Sequence, residues 1–564
     1  MPVSDDASGV GPGPRRVMIL GLDGGTLDLL RPWIAGGELP VLARLVQSGV
    51  SGYLRSTMPP ITAAAWPSLV TGKNPGKHGL VDFVFPREDY SVAVANASHR
   101  DEAAIWDILG SHDKRSIVVG MPVTYPPQRL QGYMVSGFMT PGSDVDFTYP
   151  VSLKDELLAD VGEFPFAPSE DRRFGPVEHF LEDMIACARR RTKTTQYLMR
   201  KGEWSLLALV FSSTDMVQHE LWPLLDEQDP RHDPERAAEL RPAVLGFYRA
   251  VDACLGELIE EAGPGTLTVI MSDHGFGPCL HFIHLNNWLH QLGLLRFKRT
   301  PWCWAKQAAF RAGFTPLNVL KVLDAIGLGR LRENVKCGQG YGLLSRVFLS
   351  LSDVDWSRTK AFASGSFCKV YFNLADRFPQ GMIHPGREYD ELKRQIMDAA
   401  PSVRNPINGE PVFEKTYCKE EMFSGHHAEE LPDLILGCTR GEYTGFGHAD
   451  FGSNQIVGPN VGQPGDHRMN GMLVMSGDGI RGGEIVENAR IIDLAPTILC
   501  ALGLPVPRDM DGEVLSEAFT GEALEARPVT YGEETSSVED GLAGYTDDEE
   551  QKIKQRLRGM GYVA

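Results

Sequence analysis

The chain has no long apolar run, no basic excess and no paired cysteines, and each absence closes a class of function. No segment approaches the roughly 20 consecutive apolar residues that a spanning helix needs, and the first apolar run is only Val17 to Leu22. The stretch Met1 to Pro14 is rich in Gly, Pro, Ser and Asp and lacks the basic start and apolar run of a secretory signal, so a flexible tail is expected over 1–15. Lys and Arg number 55 against 74 Asp and Glu, a formal net charge of -19. That balance argues against a nucleic-acid polymer as partner, because affinity for a phosphate backbone needs a basic footprint. A small phosphorylated substrate stays open, since bound cations reverse the local field of an acidic protein. The nine cysteines are scattered without a CxxC pair, so reduced thiols and a cytoplasmic location are expected.

What remains is an ordinary globular mixture, 42% hydrophobic and 23% charged. At 564 residues the chain exceeds what one ordinary core supports, so either two domains or one large α/β domain with a big insertion is expected. Short apolar runs at Val17 to Leu22, Ser116 to Gly120, Leu206 to Phe211 and Leu267 to Met271 read as buried parallel strands separated by helices. Three of them stand shortly before Asp23, Asp215 and Asp273. In parallel sheets ligands gather at the carboxyl ends of strands, so these carboxylates can converge although far apart in sequence.

The core resumes late, with the run Gly471 to Met475 and a helix-like Leu494, Ile498, Leu502 face. Between the two parts the pattern changes: Trp288, Trp302, Trp304, Phe310 and Phe314 alternate with Arg296, Lys298, Arg299, Lys306 and Arg311. Such a stretch either lines a pocket, lies on a membrane surface, or consists of aromatic anchors among solvated charges, the last being favoured. The expected organisation is a tail over 1–15, a catalytic α/β core over 16–285, an inserted cap over 286–430, the rest of the core over 431–520, and a C-terminal tail over 521–564. In that tail Thr546, four acids, four bases and Gly559 describe one exposed helix.

Each candidate residue has an ordinary structural alternative. Asp23 sits in Gly21-Leu22-Asp23-Gly24-Gly25, a ligand-approach loop or simply a tight turn. Thr62 precedes Ala63-Ala64-Ala65-Trp66, where a hydroxyl is either a nucleophile or a helix cap, and a helix start also favours an anion. Asp215 and His219 are four apart and share a face if the chain turns helically, as metal ligands or as a capped helix with an incidental His. Asp273-His274-Gly275 is a ligand pair or a turn. His281 and His284 follow closely and are read as loop packing rather than ligands.

Taken in order, Asp23, Thr62 before Val70-Thr71-Gly72 and Pro75-Gly76-Lys77-His78-Gly79, Asp215 with His219, Asp273-His274-Gly275 and Asp493-Leu494-Ala495-Pro496-Thr497 resemble one family. It is the type I phosphodiesterase and nucleotide pyrophosphatase branch of the alkaline phosphatase superfamily. The resemblance implies an alkaline phosphatase-like three-layer sandwich with a mostly parallel central sheet and an inserted cap. It also requires a late His. His467, in Gly465-Asp466-His467-Arg468, is preferred over His426, His427 and His448 because it immediately precedes the apolar run.

What the resemblance implies chemically is two divalent metals, zinc or else manganese: one held by Asp215, His219 and His467, the other by Asp23, Asp273, His274 and Thr62. Thr62 would form a covalent phospho-enzyme that activated water then hydrolyses. The chain departs from the family at Phe83, which stands where the nucleotide pyrophosphatases carry a phosphoryl-binding Asn. Oxyanion donors would then come from the Thr62 or Ala63 amide, Lys73 or Arg468. The segment Asp355 to Ala361 is similar to one in a prokaryotic subgroup described as predicted phosphohydrolases or phosphomutases. Hydrolysis of a phosphodiester or nucleotide-type pyrophosphate is therefore expected, with a phosphomonoesterase or phosphomutase as the alternative and a non-catalytic phosphate or membrane-surface binder as a third reading. A sulfatase is disfavoured, since no Cys or Ser stands in the context its modified nucleophile requires.

Overall fold

A computed structural model of the chain describes residues 14–166, 175–325, 347–438, 441–445, 451–460, 462–535 and 541–559. The tail expected over 1–15 falls, up to residue 13, outside the described residues. The chain divides into two compact units. The first comprises Met1–Asn74, Asn96–Phe276 and His467–Ala543, the second Pro75–Ala95, Gly277–Asp466 and Gly544–Ala564. The expected insertion 286–430 lies inside the longest segment of the second unit.

The first unit is built on a nine-stranded sheet. In chain order its strands are β1 (Arg16–Leu22), β2 (Val50–Arg55), β3 (Ser116–Met121), β4 (Gly132–Ser136), β5 (Thr148–Tyr149), β6 (Leu206–Phe211), β7 (Thr266–Met271), β8 (Asn470–Ser476) and β9 (Glu484–Ile485). Their spatial order is β9-β2-β8-β7-β1-β6-β3-β4-β5. The four runs expected to be parallel strands are β1, β3, β6 and β7, and their pairings β7-β1, β1-β6 and β6-β3 are all parallel. The late run forms β8, which is antiparallel to both its neighbours. The sheet is thus mostly parallel.

Both faces of the sheet are covered, which is why these strands are apolar without alternation. Met18, Leu20 and Leu22 of β1 pack into one core with α1 (Leu27–Ala35), α2 (Pro40–Ser48), a 177–199 helix, a 213–225 helix and a 234–262 helix. Val17 and Ile19 face the opposite core, formed with α3 (Thr62–Thr71) and a 494–501 helix. The result is a three-layer α/β/α arrangement. Three helices of the first layer are α4 (Val177–Met199), α5 (Ser213–Leu225) and α6 (Pro234–Ala262).

The second unit has a four-stranded antiparallel sheet, ordered Ala361–Ala363, Lys369–Phe372, Leu434–Cys438, Phe413–Cys418, with its own core. The segment 75–95 is held to it locally. The Lys369 ammonium pairs with the buried Asp82 carboxylate, which also accepts from the Ser366 amide at 3.0 Å. Tyr90 stacks on Trp356 at 4.0 Å, giving the Asp355 to Ala361 segment a packing role.

Two expectations change here. Trp288 is buried in this core and Phe310 packs against Phe451, but Trp302 and Trp304 are 63% and 58% exposed, so they are not packed anchors. Lys306, expected among the solvated charges, is buried and bonded to Asp353 at 3.0 Å. The C-terminal helix Asp547–Gly559 has the expected reciprocal cap between Thr546 and Glu549. It is not exposed all round, because Ile553 and Leu557, four apart on one face, are fully buried. No helix among the described residues is long and apolar enough to cross a membrane.

The closeness of β1 to α3 makes a test of this packing. A Cβ on Gly21 would stand 2.3 Å from Cη2 of Trp66, whose side chain is fully buried and has no space to retreat into. Gly21→Ala is expected to destabilise the protein by about 1–3 kcal/mol, read as a lower urea midpoint at unchanged slope. An unchanged midpoint would contradict this packing.

Candidate metal centre

The site begins with strand register. Parallel pairing aligns Gly21 with Met271 and Leu22 with Phe211, so β7, β1 and β6 end side by side. The residues that follow are Asp23, the start of α5, and Ser272-Asp273-His274. The Gly24 backbone turns with φ +68°, which disfavours any side chain there, and its amide donates to Asp273 Oδ1 at 3.1 Å. Thr214 Oγ1 donates to the Asp23 carbonyl at 2.6 Å, and Gln218 Nε2 to the Gly24 carbonyl at 2.9 Å. The Asp23 loop is therefore tied both to the Asp273 loop and to α5.

Asp215 and His219 lie on one face of α5, and the late segment brings His467 to them. Nε2 of His219 and Nε2 of His467 are 3.0 Å apart, and each lies close to Asp215 Oδ1, at 3.4 and 3.3 Å. A tetrahedral site with metal–ligand bonds of about 2.0–2.1 Å has ligand–ligand edges of about 3.3 Å. The three atoms already stand at nearly those separations. His467 Nδ1 lies 3.1 Å from the Pro60 carbonyl, a bond that puts the proton on Nδ1 and leaves the Nε2 lone pair facing Asp215 and His219.

The second group is contiguous with the first. His274 Nε2 lies 3.3 Å from Asp273 Oδ2, 3.7 Å from Asp23 Oδ1 and 3.2 Å from Thr62 Oγ1. Its Nδ1 is 3.1 Å from the Gly275 carbonyl, again turning Nε2 inward. The imidazoles of His274 and His467 stack with centroids 3.5 Å apart. Asp23, Asp215 and His274 offer ligand atoms that all lie within 4.8 Å of one another, so Asp215 faces both groups. Thr62 is the first residue of α3, with Ile61 as its N-cap. Its amide and that of Ala63 belong to the first turn, where no intrahelical carbonyl reaches them.

Such a concentration of buried acid calls for cations. Among the described residues, Asp23 Oδ1 and Asp273 Oδ2 are buried without a hydrogen-bond donor, and an uncompensated buried carboxylate is costly. Burial first, then the charges of Asp273 and Asp215, push the Asp23 carboxyl well above its usual range. Burial pushes His274 down, against the opposing charge of Asp273, which favours the neutral imidazole that a metal requires. Mixed carboxylate and imidazole donors suit a divalent transition metal.

The structure places the other named residues differently. The Lys73 ammonium pairs with Glu102 and Asp509 and donates to Thr535 Oγ1 at 2.8 Å. Those three acceptors use all its protons, and it stands beyond the opposite end of α3 from Thr62, so it is not brought to the site as an oxyanion donor. Arg468 Nη1 turns back to the His467 carbonyl at 2.8 Å. Phe83 is a buried residue of the second unit, which also holds the alternatives His426, exposed, and His427, half-buried, while His448 lies outside the described residues.

Some participants carry no signal in the sequence. Arg191, one of three consecutive arginines, is fully buried and donates to the Val210 carbonyl at 2.6 Å and the Pro165 carbonyl at 3.1 Å. Burial pushes its pKa down to about 10, and its charge partly offsets that of Asp23. Gly120, with φ +68°, makes room for it, since a Cβ there would lie 2.2 Å from Arg191 Nη1. Ser272 and Ser56 bind the Gly25 and Asp273 carbonyls at 2.6 and 2.5 Å.

A carboxyl whose folded pKa exceeds its unfolded value of about 3.9 holds its proton better when folded. Metal-free stability should then fall as pH rises from that value up through the folded pKa of Asp23. Asp23→Asn is accordingly expected to raise the neutral-pH melting temperature of the chelator-treated protein while lowering its metal content. A lowered melting temperature would refute this electrostatic account.

No curated protein matches the chain. Among solved structures, phosphonoacetate hydrolase from Sinorhizobium meliloti 1021, in complex with phosphonoformate, superposes with a TM-score of 0.51 at 14% identity, covering 86% of this chain and 95% of that one. Murine ectonucleotide pyrophosphatase/phosphodiesterase 5, an inactive form in complex with AMP, gives 0.46 at 14% identity over 87% and 95%. The first likeness shows a shared alkaline phosphatase-like fold. The profile of the family described as type I phosphodiesterase / nucleotide pyrophosphatase matches residues 17–450. The chain belongs to that family and is a metal-dependent phosphohydrolase.

Proposed function

We propose that the protein hydrolyses a phosphodiester or nucleotide-type pyrophosphate, with Thr62 as nucleophile and a phospho-threonine intermediate. The observation that carries this reading is the position of Thr62 Oγ1, 3.2 Å from His274 Nε2 at the first turn of α3. One divalent cation would be held by Asp215, His219 and His467, a second by Asp23, Asp273, His274 and Thr62, with zinc favoured by the donor set and manganese also compatible. Such cations supply Lewis acidity to the phosphoryl oxygens and lower the pKa of the Thr62 hydroxyl.

The chain's own part is to align attack and to bind developing charge. The Thr62 and Ala63 amides point along the helix axis toward an incoming anion, where the helix dipole adds to their pull. They are the donors best placed to replace the family's Asn, because Lys73 is fully engaged elsewhere. The eight described cysteines are free thiols, which supports a reducing, cytoplasmic setting. A phosphomonoesterase or phosphomutase is the second reading, favoured by Phe83, whose side chain cannot donate to a phosphoryl oxygen.

Thr62→Ala is expected to lower hydrolysis of bis(p-nitrophenyl) phosphate at least about a thousandfold. In the wild type this diester should be cleaved faster than p-nitrophenyl phosphate. A strong preference for the monoester would move the assignment to the second reading, and full activity in Thr62→Ala would remove the nucleophile.

A further inference from the structure

Behind α5 lies a narrow space that the proposed reaction does not use. It is lined by Leu22, Gly25, Thr214 and Gln218 on one side and by Tyr248 and Asp252 of α6 on the other, and it offers about 10 Å³ to the centre of a water molecule. One water needs roughly 10–15 Å³ by that measure, so the space is on the scale of a single water.

Its polar lining is unusual. The Tyr248 hydroxyl is buried and has no hydrogen-bond partner among the described residues, and the same holds for Gln218 Oε1. The orientation of the Gln218 amide is dictated by its other bonds. Its Nε2 donates to the carbonyls of Gly24 at 2.9 Å and Thr214 at 3.1 Å, so Oε1 must be the atom left over. Burial pushes the Tyr248 phenol far above its usual pKa, which makes it a neutral donor. Leaving such a donor and acceptor both unpaired would cost about 1–3 kcal/mol each. Asp252, whose oxygens accept the Val41 and Leu42 amides at 2.9 Å each, has further lone pairs at the same space.

We propose that this cavity is a hydration site in which a single water accepts from the Tyr248 hydroxyl and donates to Gln218 Oε1 and to the Asp252 carboxylate. Tyr248 is thereby a positioning residue. Through the water it fixes the Gln218 amide, and that amide joins the Gly24 turn beside Asp23 to the helix of Asp215 and His219. The positioning role rests on the ligand assignment proposed above, whereas the hydration site does not.

Two measurements separate them. A high-resolution crystal structure of the wild type should show a density peak within hydrogen-bond distance of both Tyr248 Oη and Gln218 Oε1, and the peak should be missing in Tyr248→Phe, which removes only the hydroxyl. Absence of the wild-type peak overturns the proposal. Zn²⁺ titration of the chelator-stripped protein should give a Kd about threefold to tenfold weaker in Tyr248→Phe, less than the 10–100-fold typical of direct partners of ligands. In a Gln218→Met background the same change should have less than about a twofold effect, because both substitutions break one link. Unchanged affinity in Tyr248→Phe, or additive effects, overturns the positioning role. If the wild type itself binds no Zn²⁺ while the peak is present, the ligand assignment fails and the hydration site stands.

Discussion

Mutual repulsion among the carboxylates of Asp23, Asp215 and Asp273 is the constraint on which the rest of the first unit depends. Oxygens of Asp23 and Asp215 come within 4.8 Å in a buried setting, where two like charges repel by about 3–4 kcal/mol even with generous screening. Nothing in folding rewards such an arrangement by itself. It is imposed by three adjacent parallel strands that deliver the segments after them to the same edge, and it is held by neutral groups: the amide of Gly24, the hydroxyls of Thr214, Ser56 and Ser272, and the amide of Gln218.

The supporting parts answer that constraint by different means. Arg191 brings one fixed positive charge beneath the strand ends, bonded only to carbonyls in the contacts described above, so that no second acid is added to the site. The imidazoles of His274 and His467 are each turned by a carbonyl, and their stacking holds both Nε2 atoms toward the acids. Both devices leave the remaining negative charge for divalent cations. Stability and function are opposed here, as is common where an active centre concentrates charge.

The helix that carries Thr62 is anchored well away from the site. Its far end terminates at Gly72, whose carbonyl accepts the amides of Asp511 and Gly512 at 2.9 and 3.1 Å. The next residue, Lys73, is locked between Glu102 and Asp509. Lys73, one of the substitute oxyanion donors expected from the sequence, is therefore an anchor of the helix bearing Thr62. Trp66 in the middle of that helix presses on β1 where Gly21 allows it, so the Asp23 strand and the Thr62 helix share one packing contact.

Local chemistry was legible in the sequence because it depends on neighbours in the chain. Apolar runs ending in acids marked β1, β6 and β7, the spacing of four put Asp215 and His219 on one helix face, and the glycines after Asp23 marked a turn. The C-terminal helix was legible in its cap, though not in the burial of Ile553 and Leu557, which depends on what it packs against. Distances between groups some two hundred residues apart follow from sheet register and helix packing, which no local pattern records. Only the tertiary structure brought His467 to 3.0 Å from His219, withdrew Lys73 into an ion cluster, and buried Arg191 and Gln218 behind the acids, because a side chain's partners are set by where the backbone carries it.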